Sequence, residues 1–139
     1  YRHRFEPSEQ LDKPYAIAAM GFFAADTDEE GEYLATSMQQ QFLNLRRGTP
    51  GQLPKPVKDM DEIWNRVEKA GVDHAMRYAA IGGRDTVRKK LREFAYMTKA
   101  DEIMVTANIY DQAARQKSFA IAAELFGEMN AQGDNKDCA

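Results

Sequence analysis

The chain has 139 residues, a one-domain length, with 43% hydrophobic residues, 29% charged residues and a net charge of −3. That balance belongs to a globular protein and argues against a nucleic-acid or membrane surface. The one cysteine, Cys138, can form no internal disulfide, no Cys/His cluster offers a zinc site, no apolar run reaches the ~20 residues of a membrane span and no signal peptide is visible, so a reducing, cytoplasmic setting is expected.

Tyr1 to Phe5 reads as the last turn of a helix already under way, and the start at Tyr1 rather than Met suggests a processed chain or a piece of a longer one. Pro7 and Pro14 make residues 6–14 a linker. The continuous apolar run 15–25 is a strand covered on both faces; its alanines also suit a helix, but Gly21 and the Phe22-Phe23 pair favour the strand. Thr27 with Glu30 fits a capping box, and Leu34, Met38, Phe42 and Leu45 follow at helical spacing, which predicts a helix over 28–46. Prolines 50, 54 and 56 with Gly48 and Gly51 impose a long loop, residues 46–59, whose basic start, Arg46-Arg47, suits a lid over an anionic ligand or a plain surface connection.

A helix or two short ones are expected over 60–78, where His74 is read as a surface or packing residue. Tyr78 to Gly83 reads as a turn before a helix over 85–98. Gly82-Gly83 offers its amides to an anion only weakly, and Arg88, Lys89, Lys90 and Arg92 read as a solvated face. A second strand over 102–110 stops at a polar cluster, Asp111 caps a helix over 112–129, and a polar, disordered tail fills 130–139. The expected fold is α/β, with two parallel strands joined by a right-handed crossover and a mostly helical remainder. Two such strands leave both edges open and lack the neighbours that they are built for.

Three groups of residues look familiar. They are Asp12-Lys13-Pro14-Tyr15; Ala24-Ala25-Asp26-Thr27-Asp28-Glu29-Glu30; and Gln40-Gln41-Phe42-Leu43-Asn44-Leu45-Arg46-Arg47-Gly48. With Gly82-Gly83-Arg84-Asp85-Thr86-Val87, Ala100 to Val105, Ile109-Tyr110-Asp111, Ala114-Arg115 and Ser118-Phe119, the chain resembles the bacterial luciferase-like, flavin-dependent monooxygenases, in their single-chain group. The resemblance implies the C-terminal part of a (β/α)8 TIM barrel, with strands 15–25 and 102–110 as its seventh and eighth. It further implies a parent that uses reduced FMN and oxygen to oxidise a small organic substrate such as an aldehyde, with the segment alone inactive.

Phe22, Phe23, Asn108 and Tyr110, at the strand ends, are the candidates to face flavin or substrate, with Arg46 and Arg47 as lid candidates; no catalytic residue and no metal ligand is assigned. Most phosphate contacts of the family come from parts not present in this sequence. Asn108 and Gln112 stand where the family often has histidine, and Gly83-Arg84 stands where it has Ser/Thr-Pro. The partners implied are flavin and substrate, and open strand edges imply a homo-oligomer. A short, non-catalytic, self-associating α/β protein and a small anion-binding module built on Gly82-Gly83 remain the alternatives.

Overall fold

The apolar run that follows Pro14 becomes the central strand of a parallel sheet. In the computed structural model, which describes residues 1–134, this strand is β1 (Ile17–Ala25). A 3₁₀ turn (Arg2–Arg4) precedes it. After it come α1 (Asp28–Arg46), α2 (Arg66–Met76), β2 (Ala80–Gly83), α3 (Arg84–Thr98), β3 (Glu102–Thr106) and α4 (Gln112–Asp134). The sheet order is β2-β1-β3. Residues 22–25 of β1 pair with β2, and residues 17–21 pair with β3, both in parallel.

Here the sheet departs from the two strands that the sequence suggests. Residues 80–83 form a third strand of four residues ending in two glycines, too short and too glycine-rich to stand out from a turn. The second predicted strand is also shorter, ending at Thr106 opposite Gly21 rather than at residue 110.

Period-two alternation divides β1 between two cores. Met20, Phe22 and Ala24 pack with Val87, Leu91 and Phe94 of α3 and Ala122 and Leu125 of α4. Phe23 and Ala25 point the other way, into Leu34 and Ala35 of α1 with Ala107 and Ile109. Each fully buried large side chain here contributes about 1.5–3 kcal/mol. Towards the amino end of the strands that second face is bare, with Ile17 57% and Met104 54% exposed. A third cluster, Leu43, Met60, Trp64 and Val72, ties the far end of α1 to the loop and α2.

Local chemistry sets the helix ends. Thr27 Oγ1 accepts from the Glu30 amide, while Glu30 reaches back to the Asp26 amide. The helix predicted over 60–78 starts only at Arg66, because Asn65 and Glu68 form a reciprocal capping box. Asp59 meanwhile accepts from the Asp61 amide and holds the preceding residues in a turn. The irregular stretch therefore runs on to residue 65, beyond the expected loop of 46–59. At the other end Asp111 Oδ1 caps α4 by accepting from the Ala114 amide. Residues 130–134, expected in a disordered tail, continue α4, with no proline there to break it. Residues 135–139, with Cys138, lie outside the described residues.

One buried side chain closes the sheet where β3 has ended. Ser118 Oγ on α4 accepts from the Ala24 amide at 3.0 Å and donates to the Phe22 carbonyl at 3.3 Å, standing in for a missing strand partner. Ser118→Ala leaves both backbone groups buried without a partner. It is expected to destabilise the protein by about 1–3 kcal/mol in urea unfolding, with faster hydrogen exchange at the Ala24 amide.

Candidate functional site

Where the bare face of the sheet meets α1 and the end of α2, the chain forms a cleft of about 240 Å³. Its floor is Ala19, Gly21 and Phe23, the odd-numbered side of β1. Met38 and Phe42 of α1 form one wall, and Ala75, Met76 and Ala79, in and just after α2, form the other. Thr106 and Asn108, from the end of β3 and the residues after it, supply the polar rim together with Tyr78. The Asn108 Nδ2 donates to the Met38 thioether at 3.5 Å, a weak contact that leaves most of the amide's capacity for a ligand. The arrangement suits an apolar or flat aromatic group that is hydrogen-bonded at one end. Among the described residues no acid, base or histidine lines the cleft. Among the described residues no cluster of His, Cys, Asp or Glu could hold a metal ion.

Of the residues singled out in the sequence, the structure brings Phe23 and Asn108 together in this cleft. Phe22 points to the opposite face and lies fully buried under α3 and α4. Tyr110 is half exposed outside the cleft, with Lys55 Nζ 5.9 Å from its ring centre. Arg46 is the last residue of α1 rather than part of a loop, and its guanidinium presses against Gly71 of α2. Arg47 caps α1 and forks onto Glu68, Nε to Oε1 at 2.7 Å and Nη2 to Oε2 at 2.8 Å. Both arginines therefore tie α1 to α2 and do not reach the cleft. Gly21 and Thr106 were legible only through Phe23 and Asn108, because a period of two along a strand marks the same sheet face; Met38 and Met76 lie on helices, and no strand period marks them.

The loop expected to serve as a lid is fastened along α1. Gln40 Nε2 donates to the Lys55 carbonyl, Gln41 Nε2 to the Gly51 carbonyl, and Thr36 Oγ1 accepts from the Val57 amide. Gly82-Gly83 presents no free anion site either. Asp28 accepts from the Gly83 amide at 2.7 Å and from the Thr86 hydroxyl at 3.0 Å, and these bonds lower its pKa. In the basic run, Arg88 pairs with Glu128 and Asp85, and Arg84 beside it pairs with Glu124 and Glu128. His74 is exposed on α2.

The described residues thus form an α/β unit with a parallel sheet and an apolar cleft on one face of it. No protein-family model matches the sequence. The chain is 43% identical over 129 residues to a luciferase-like monooxygenase of Escherichia coli (strain K12), covering 93% of the chain and 38% of that protein. It is 47% identical over 126 residues to YvbT of Bacillus subtilis (strain 168), an uncharacterized protein, covering 91% of the chain and 38% of that protein. The crystal structure of apo-MsnO8 matches with a TM-score of 0.71 and 25% identity, over 91% of the chain and 39% of that structure. The chain is thus similar to luciferase-like monooxygenases and spans 38% of the length of the curated proteins it matches.

Hydrogen bonds from Arg47, then from the Asn65 amide, hold the Glu68 carboxyl at about 2, below its usual 4.5. A group depressed on folding stabilises the protein above its unfolded pKa and loses that contribution as pH falls through the folded value. The thermal midpoint is therefore expected to drop between pH 4.5 and about 2, the window that Glu68 sets, and to drop less in Glu68→Gln. An equal drop in both proteins, measured by calorimetry, would contradict this role.

Proposed function

We propose that the chain is one wall of an FMN-dependent luciferase-like monooxygenase, which oxidises a small organic substrate with oxygen and reduced flavin. The observation that carries this reading is the 43% identity to a luciferase-like monooxygenase across 129 residues. In this reading the segment is the C-terminal part of a (β/α)8 barrel, with β1 and β3 as its seventh and eighth strands. Three features support the barrel. Both strand pairings of the sheet are parallel. Residues 17–21 of β1 have no partner among the described residues on the β2 side, and β3 has none on its outer edge. The same strands carry the exposed Ile17 and Met104, which further strands would cover.

The residues fit the ring or the substrate, and they do not fit the phosphate. The cleft offers apolar side chains with an amide and hydroxyls at its rim. The Gly83 amide already serves Asp28, and Arg84 and Arg88 are paired with carboxylates. Bound reduced flavin supplies the electrons that activate oxygen. This chain's residues orient and shield: Phe23, Met38 and Phe42 exclude water, and Asn108 and Thr106 hydrogen-bond the ring edge or the substrate's polar end. With most of the site elsewhere, the 139-residue chain alone is inactive. Among the described residues no helix is long and apolar enough to cross a membrane, and a cytoplasmic setting is part of the proposal.

Titration of FMN, followed by flavin fluorescence, tests the reading. A longer protein carrying this segment is expected to bind FMN, and the 139-residue chain is expected not to. Binding by the short chain, or none by the long one, defeats it. Light scattering is expected to find the short chain self-associated through its open strand edges; a strict monomer at high concentration would defeat that part.

A further inference from the structure

We propose that Met38 is an oxidisable switch in the cleft: hydrogen peroxide converts its thioether to a sulfoxide, and the new oxygen captures the Asn108 amide at the rim. The proposal rests on reading the cleft as a wall that faces flavin and oxygen chemistry. Met38 is half-buried in α1 and lines the cleft. Its sulfur lies against a polar group, accepting from Asn108 Nδ2 at 3.5 Å. A thioether is a weak acceptor, so in the reduced protein this bond leaves the amide open to a ligand.

Thioether oxidation is a two-electron step. One peroxide oxygen bonds to the Met38 sulfur as the O–O bond breaks; the sulfur is oxidised, and the other oxygen leaves as water with both protons. Oxygen that takes two electrons from reduced flavin without oxidising a substrate leaves as hydrogen peroxide, so the same reading supplies the oxidant. The sulfoxide oxygen is a strong acceptor beside an amide that already points at the sulfur. Methionine is unbranched, with three rotatable bonds, so the S–O group can turn to that amide while α1 stays in place. Asn108 stands between Ala107 and Ile109, both buried, which hold its backbone at the rim. Oxidation also sets a polar oxygen among Phe23, Phe42 and Met76. Met97 and Met104, 52% and 54% exposed, meet peroxide too, but they lie outside the cleft and serve as internal controls.

The 139-residue chain, labelled with nitrogen-15 and treated with hydrogen peroxide, tests this by peptide mass and by the side-chain amide signals of Asn108, which Asn108→Asp identifies. Met38 is expected to gain one oxygen atom under conditions that leave the buried Met20 and Met60 unmodified. The Asn108 amide signals are expected to shift as Met38 oxidises and to return after treatment with methionine sulfoxide reductases. Met38→Leu conserves side-chain volume. In it Met97 and Met104 still oxidise, and the Asn108 signals are expected to stay in place. Met38 left unoxidised once Met104 is fully modified, unmoved Asn108 signals in a chain oxidised at Met38, or the same shift in Met38→Leu would overturn the proposal. If Asn108 shifts as expected and the longer protein fails to bind FMN, only the flavin reading falls; FMN binding with unmoved Asn108 signals removes only the switch.

Discussion

Asp28 holds together parts of the chain that lie 55 residues apart. Its carboxylate takes the Gly83 amide at the start of α3 and the Thr86 hydroxyl one turn further on. The start of α1 is thereby fixed on the end of β2. That seat requires bare backbone, because a Cβ on Gly31 would come 2.6 Å from the Gly82 backbone and a Cβ on Gly82 would come 2.5 Å from the Asp28 carboxylate. The carboxylate also meets the positive end of α3, where a negative charge is favoured. With α1 placed in this way, Leu34 and Ala35 cover Phe23 and Ala25, and Met38 and Phe42 fall over the sheet to wall the cleft.

The two faces of the sheet are held differently. Under α3 and α4 the packing is closed, and Arg84 and Arg88 bridge the two helices through Glu124 and Glu128 at the surface. Exposed pairs of this kind add little stability each, so the apolar layer beneath them supplies most of the adhesion. The other face is covered only at its carboxyl end. The gradient from buried Ala25 to exposed Ile17 along one strand is what opens the cleft.

Elements with a strong local signature were legible in the sequence. The capping chemistry of Thr27 and Glu30 and the helical spacing of Leu34, Met38 and Phe42 pointed to α1, and Asp111 pointed to the start of α4. The continuous run 15–25 pointed to a strand despite its alanines. What could not be read depends on distant partners. β2 is a strand only because β1 lies beside it. The Gly83 amide is unavailable to an anion only because Asp28 folds back onto it. Phe22 and Phe23 are adjacent in sequence yet belong to opposite faces, and only the register of β1 decides which of them meets the cleft. The arginines 46 and 47 looked like mobile charges because their partners, Gly71 and Glu68, lie in a different helix.

In the loop between α1 and α2, the backbone of residues 51, 55 and 57 is hydrogen-bonded from one side. Gln40, Gln41 and Thr36 all sit on α1, and they bind the backbone of residues 55, 51 and 57 rather than its side chains. The path of that stretch is thus written mainly into the helix it lies on. Lys55 and Gly51 can drift to other residues over generations while their carbonyls stay where they are, so the loop's surface can diversify faster than its shape.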